Sequence, residues 1–336
     1  MKNNICIYIH WPWCKNICHY CDFYKFKIFR SLNYQEIIKC YIRDLKILEK
    51  YMLNKTIISL YIGGGSPSVI KKFLLQSLLE YIFKNYKISN KLEVSIEANP
   101  EDITKKKLKE YKNIGINRIC IGIQSLSNDE LQFLGRKYTK KHAVNSILKS
   151  SDYFDNIGID LIFGIPSSNR ENFEKQLYFS RELPVKHISL YEFDFANKKK
   201  LSYLENNNFF ESNKKILEEK KFFLYETTSY SKKGYQSSYN NSVLGMKNYI
   251  GIGPSAHGRV IENNTVIRIR NTKILKYWLN SNKNTFQQEI LNKEKKIEEL
   301  LMLGLSKSDG ISIKELIEAT DNNVSKYINK KNISNL

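Results

Sequence analysis

The chain has 336 residues, 42% of them hydrophobic and 26% charged, a balance that excludes a disordered or fibrous protein. No apolar run approaches the roughly 18 residues that a membrane span needs, and His10 interrupts the first apolar stretch, so the expectation is a cytoplasmic protein with neither span nor signal peptide. The 54 basic against 34 acidic residues give a net charge of +20, which raises nucleic acid as a partner.

That charge is better read as compositional drift toward Lys, Asn, Ile, Tyr and Phe, solvated on helix faces such as Lys105 to Lys109, and nucleic acid is not the expected partner. The chain keeps 15 Gly and 6 Pro, where average usage would give about 24 and about 17. Those that remain are grouped: Pro12 before a cysteine cluster, Gly63 to Gly65 with Pro67, Pro100 after Glu97, Gly164 and Pro166 after Asp160, and Gly251, Gly253, Pro254 and Gly258. Such positions meet backbone needs that other residues cannot.

In chain order, strands are expected at Ile5–His10, Ile57–Ile62, Leu92–Glu97, Arg118–Ile123, Asn156–Leu161 and His187–Tyr191. Helices are expected between them at Tyr34–Lys50, Lys71–Asn85, Thr104–Asn113, Lys140–Ser150 and Arg170–Arg181, with Thr104 as an N-cap. The alternation predicts an α/β fold with a parallel sheet, and about six βα units suit a partial (β/α)6 barrel whose missing units leave a groove. Beyond Asn197 the alternation fades into helical, polar sequence, followed by the Gly234–Arg259 segment and a lysine-rich stretch that ends in Glu298–Leu305. The expected domains are a partial barrel over 1–200, an extension closing its groove over 201–270, and a small mainly helical region over 271–336 that is short for a complete appended domain.

Cys14, Cys18 and Cys21 lie within eight residues just after the first strand. Three thiolates suit a four-iron cluster that keeps one iron free of protein, because a cubane takes four. Zinc ribbons use a second cysteine pair, which is absent, and His19 lies too tightly between ligands to complete a zinc site without strain. Cys6, Cys40 and Cys120 are expected to be small buried hydrophobes. Gly63-Gly64-Gly65-Ser66-Pro67-Ser68 ends the second strand and lacks the Lys-Ser/Thr of a phosphate loop. Glu97, Gln124 and Asp160 lie at or near the ends of the next three strands, with Arg136 after the fourth; carboxylates can accept from ribose hydroxyls, and an arginine matches a carboxylate bidentately. The alternative for these residues is structural, with Glu97 and Arg136 paired and Asp160 capping a loop.

The stretch Ile-Tyr-Ile-His-Trp-Pro-Trp-Cys14, followed by Cys18-His-Tyr-Cys21-Asp-Phe, resembles the opening of the radical S-adenosylmethionine proteins, in the branch of the oxygen-independent coproporphyrinogen III oxidase and the HemW heme chaperone. The resemblance runs from about residue 5 to residue 310. It implies a [4Fe-4S] cluster on Cys14, Cys18 and Cys21, with S-adenosylmethionine chelating the open iron. Cofactor contacts carry over to Tyr8, Tyr20, Gly64, Gly65, Ser66, Glu97, Gln124, Arg136 and Asp160. Within the branch, the oxidase pattern calls for a fourth cysteine two positions after the third and for an N-terminal extension. Here Asp22-Phe23 follows Cys21 and thirteen residues precede Cys14, which favours the chaperone. That function implies heme, a heme-acceptor protein and a reducing donor such as a flavodoxin-like protein; oxidative decarboxylation of coproporphyrinogen is the alternative. One departure stands out: the family's His-Asn-x-x-Tyr-Trp stretch, whose histidine is proposed as a heme contact, reads Tyr239-Asn240-Asn241-Ser242-Val243-Leu244 here. Tyr239 as a phenolate, His257 or Met246 are the candidate substitutes.

Overall fold

Alternation of polar and apolar residues decides how the strands sit. In β1 (Asn4–Trp11), Ile5, Ile7, Ile9 and Trp11 are buried on one side while Cys6, Tyr8 and His10 face the other. The same period runs through β2 (Thr56–Gly64), β3 (Ile88–Ala98), β4 (Arg118–Gln124), β5 (Asn156–Phe163) and β6 (His187–Glu192). Strand pairing is parallel and sequential from β1 to β6. The structure is a computed structural model that describes residues 3–28, 32–166, 168–193, 208–263 and 265–321, with positions 324 and 327.

The apolar side packs against α1 (Tyr34–Leu48), α2 (Lys72–Asn85), α3 (Lys105–Asn113), the short α4 (Asn128–Phe133), α5 (Lys140–Ser151) and α6 (Arg170–Ser180). In α1 the buried residues Ile37, Cys40, Tyr41, Asp44, Leu45 and Leu48 recur at helical spacing, and Asn33 caps the first turn by accepting from Glu36 N at 3.3 Å. Thr104 caps α3 as expected, accepting from Lys107 N at 3.2 Å. The polar side of the six strands is left facing inward, and it lines the groove.

Past residue 207 the helical expectation needs correction. After α7 (Asn208–Glu218) come β7 (Phe223–Glu226) and β8 (Ser229–Ser231), then α8 (Ser238–Leu244), β9 (Tyr249–Ile252), β10 (His257–Glu262), β11 (Thr265–Asn271), α9 (Leu275–Asn280) and β12 (Phe286–Ile290). All join one sheet of twelve strands in the order β12-β11-β10-β9-β1-β2-β3-β4-β5-β6-β8-β7. The sheet stays open, as the partial barrel requires. β9 adds a parallel strand beside β1, Cys6 opposite Tyr249, so the Gly251-Ile-Gly-Pro segment is a strand end rather than a loop. Three of these strands, β7, β8 and β9, have only three or four residues each, which hides their period. The pairing of β11 with β12 crosses residue 270, where a boundary is expected, and the boundary at 200 lies outside the described residues. Only α10 (Lys293–Leu305) and α11 (Ile313–Thr320) form the helical C-terminal part among the described residues. No described helix is long and apolar enough to cross a membrane.

Candidate cofactor-binding site

The inward ends of the parallel strands enclose a cavity of about 450 Å³. Cys14, Cys18 and Cys21 line it together with Tyr20, Gly64, Gly65, Ser66, Glu97, Gln124, Arg136 and Asp160. Residues scattered over nearly 150 positions thus meet because each sits at the same end of a parallel strand, where loops are free to carry chemistry.

The cysteine loop leaves β1 through Trp13–Cys14, which pairs with Phe26–Lys27 and so closes the loop at its base. Cys14 is buried, Cys18 and Cys21 are half-buried, and all three thiols are free. Burial raises the Cys14 thiol. Gly65 passes so close that a Cβ there would stand 3.0 Å from Cys14 Sγ, and Gly64, at φ +112°, would drive a Cβ to 2.7 Å from the His10 ring. The glycines therefore bring the second strand's exit against the cysteine loop. Among the described residues no three His, Cys, Asp or Glu side chains stand close enough together to hold a metal ion. His19 is set edge-on against Tyr20 and Phe133.

Glu97 accepts from Tyr61 OH at 2.9 Å and from Gly64 N at 3.2 Å. Burial, then the nearby Asp160 charge, pushes its carboxyl up to about 7 against the opposing pull of those donors and Arg118. Asp160 is pushed up to about 6 by burial, opposed by its bond to Ser189 and by Arg118. Arg136 donates to Asn99 Oδ1 at 3.3 Å and to the Tyr20 hydroxyl, not to Glu97, so the structural pairing of those two does not form. Gln124 ends β4 in the left-handed region at φ +63°, its amide folded across Gly122, where a Cβ would lie 2.6 Å from Nε2.

Sequence reasoning missed the floor of this cavity. Arg118 is 1% exposed; its Nη1 reaches Ser95 Oγ at 3.4 Å and Cys120 Sγ at 2.8 Å, while Nε has no partner. Cys120 is buried as expected, yet it lines the cavity beside this guanidinium instead of packing in the apolar core. His187 meets Tyr225 OH at 2.8 Å, and burial followed by Arg118 holds its ring well below the usual histidine range. The signal was available: Arg118 and Cys120 share the strand face of Gln124 at period two.

Two expectations change. Tyr8 does not line the cavity; it lies behind Gly63, in register with Tyr61, and stacks on Tyr239 at 5.5 Å. Tyr239 fills the space between Tyr8 and Tyr61, with Tyr249 edge-on at 6.1 Å. Burial there holds its phenol well above the usual range, so Tyr239 is a poor phenolate ligand. Its neighbour Asn240 does line the cavity. Met246 is half-buried and His257 is exposed on β10, its ring kept neutral by partial burial and then by Arg270, Lys273 and Arg268.

Residues 8–177 match the Radical SAM superfamily. This chain belongs to that superfamily. Its relatives include the heme chaperone HemW of Buchnera aphidicola from Acyrthosiphon pisum, 34% identical over 280 residues that span 80% of this chain and 74% of the relative. HemW of Bacillus subtilis is 30% identical over 336 residues, 93% of this chain and 86% of the relative. In fold, the chain is similar to the Escherichia coli coproporphyrinogen III oxidase HemN, a radical SAM enzyme, with a TM-score of 0.80 over 97% of this chain and 81% of that one at 17% identity. Within the radical SAM superfamily the chain falls in the coproporphyrinogen III oxidase-like branch, among the HemW-like proteins.

Proposed function

We propose that this protein is a heme chaperone built on a radical S-adenosylmethionine core: Cys14, Cys18 and Cys21 hold a [4Fe-4S] cluster, S-adenosylmethionine occupies the adjoining cavity, and heme is carried to an acceptor protein. One observation carries the reading: the three thiols and all the expected cofactor contacts except Tyr8 line a single cavity. The donor set fits the cluster, since three soft thiolates leave one iron without a protein ligand, and Gly65 provides room against Cys14 that any side chain would fill. When bound, such a cluster supplies an iron with a position open to the amine and carboxylate of S-adenosylmethionine.

The chain's own residues do the rest. Arg136, already aimed by Asn99, matches a carboxylate. Glu97 and Asp160 accept from hydroxyl or ammonium groups, and a bound cation favours their ionised forms against the burial that raises both carboxyls. For heme, His257 is the better candidate than Tyr239, because it is exposed and its neutral imidazole has a free lone pair. Cysteines grouped as metal ligands, with the others scattered and free, rather than spaced as a disulfide framework, fit a reducing, cytoplasmic setting.

Anaerobic reconstitution tests the reading. About four iron and four sulfide per chain are expected, lost on Cys14→Ala, with a change in the reduced cluster's spectrum on adding S-adenosylmethionine. Heme titration should saturate and weaken on His257→Ala. Zinc in place of iron overturns the cluster. Conversion of coproporphyrinogen to protoporphyrinogen favours the oxidase instead.

A further inference from the structure

The cysteine loop is gripped on both flanks by polar groups, and the pair on its first flank has no part in the cofactor reading. On one flank Lys15, next to Cys14, forms an ion pair with Asp102. Asp102 is buried, its side chain 3% exposed, and its second oxygen accepts from Ser68 Oγ at 2.7 Å. Ser68 belongs to the glycine motif, and its hydroxyl also accepts from Asn99 N at 3.3 Å. On the other flank Tyr20, next to Cys21, receives Arg136, which also reaches Asn99 Oδ1 at 3.3 Å. The exits of β2 and β3 thus hold the loop from both ends through one hydrogen-bonded chain.

We propose that Asp102 is a positioning residue for the cysteine loop, which it latches through Lys15 so that Cys14, Cys18 and Cys21 stay within reach of one metal cluster. The inference rests on reading that loop as the cluster site. A surface lysine pair would be worth little, and a buried carboxylate is costly unless something uses its charge. The loop has that use: no closed cage is preformed among the described residues, so the placing of its three thiols depends on what holds the loop. Lys107 contributes from behind, donating to Ser68 O at 2.6 Å.

The test compares the parent chain with Asp102→Asn, Lys15→Met and Lys15→Arg. Thiol labelling of the metal-free proteins is read first, with circular dichroism as the check on folding. Asp102→Asn and Lys15→Met should label Cys14, Cys18 and Cys21 several-fold faster and, once reconstituted, release iron to a chelator several-fold faster. The double variant should be no worse than either single one, and Lys15→Arg should behave as the parent. If Asp102→Asn misfolds, the exposed Lys15→Met carries the test. Unchanged labelling in folded Lys15→Met overturns the latch, whether or not iron binds. A parent chain that takes up no iron overturns the cluster reading separately, and the labelling rates still decide the latch.

Discussion

Two arginines are equally buried, at 1% exposure, and are treated differently by the fold. Arg259, in β10, is paired with Glu299 of α10 at 2.7 Å, and Glu299 also holds Arg268 at 3.1 Å. Arg118, in β4, hydrogen-bonds to a serine and a thiol and has no carboxylate in ion-pair contact among the described residues, although it lies in the field of Glu93, and Glu97 and Asp160 feel its charge. Nε lacks a partner in both, so the contrast lies in the counter-charge. Where the chain needs only to hold β10 to a helix, the charge is closed by a carboxylate. Inside the cavity no carboxylate closes it, and the carboxyls of Glu97 and Asp160 are held above their usual range. An incompletely matched set of buried charges is a mark of a place that awaits a ligand.

The largest effect should come from opening the closed pair. Glu299→Ala leaves Arg259 buried without its counter-charge and should cost about 3 to 5 kcal/mol in urea unfolding. A loss under about 1 kcal/mol would mean that the pair does not hold α10 to the sheet, and the contrast would lose its structural side.

The cavity side can be sharpened through pH. A carboxyl raised on folding binds its proton more tightly in the native state, so its favourable contribution is present below the unfolded value and is lost as pH rises through the folded one. For Glu97 that window runs from the ordinary carboxyl range to about 7. His10, held down to about 4, and His187 act in the opposite sense over the lower part of the window, so the parent profile alone is ambiguous. Glu97→Gln removes the Glu97 share. Its stability relative to the parent should rise between pH 5 and pH 8 by roughly 2 kcal/mol, measured by urea unfolding at each pH. A difference that does not vary with pH would show that Glu97 is ionised throughout.

The smallest effect on stability belongs to Arg118→Met, which removes a buried charge with no paired carboxylate and should change unfolding by about 1 kcal/mol or less. Its effect on the site should be larger than that. Without the guanidinium, the protonation midpoints of Glu97 and Asp160 should move further up, observable as a shift of their carboxyl signals on titration. A large loss of stability with unmoved midpoints would place Arg118 with Arg259 as a structural charge.

Much of the site was legible because parallel strands put their ends in one place. Once Glu97, Gln124 and Asp160 are assigned near successive strand ends, their convergence follows from the fold class, and the cavity brings them together with the cysteines. Tyr8 shows the limit: it lies on the groove-facing side of β1, but only the packing of Tyr239 and Tyr61 over it shows that it stands behind the cavity wall. Asp102, Asn99 and Lys15 carried no signal at all, since a Lys–Asp contact across 87 positions has no local spacing.

The sequence alone determined the alternation of the six inner strands and the placing of Cys14, Cys18 and Cys21 in one loop, both of which depend on spacing within a few residues. Tertiary structure decided the rest. The strands β7, β8 and β9 have only three or four residues each, too few to show a period, and are fixed by their neighbours in the sheet. The raised Glu97 and Asp160 carboxyls, the open charge of Arg118 and the grip on the cysteine loop exist only because distant chain segments exclude water together, and desolvation is a property of the assembled cavity rather than of any residue in it.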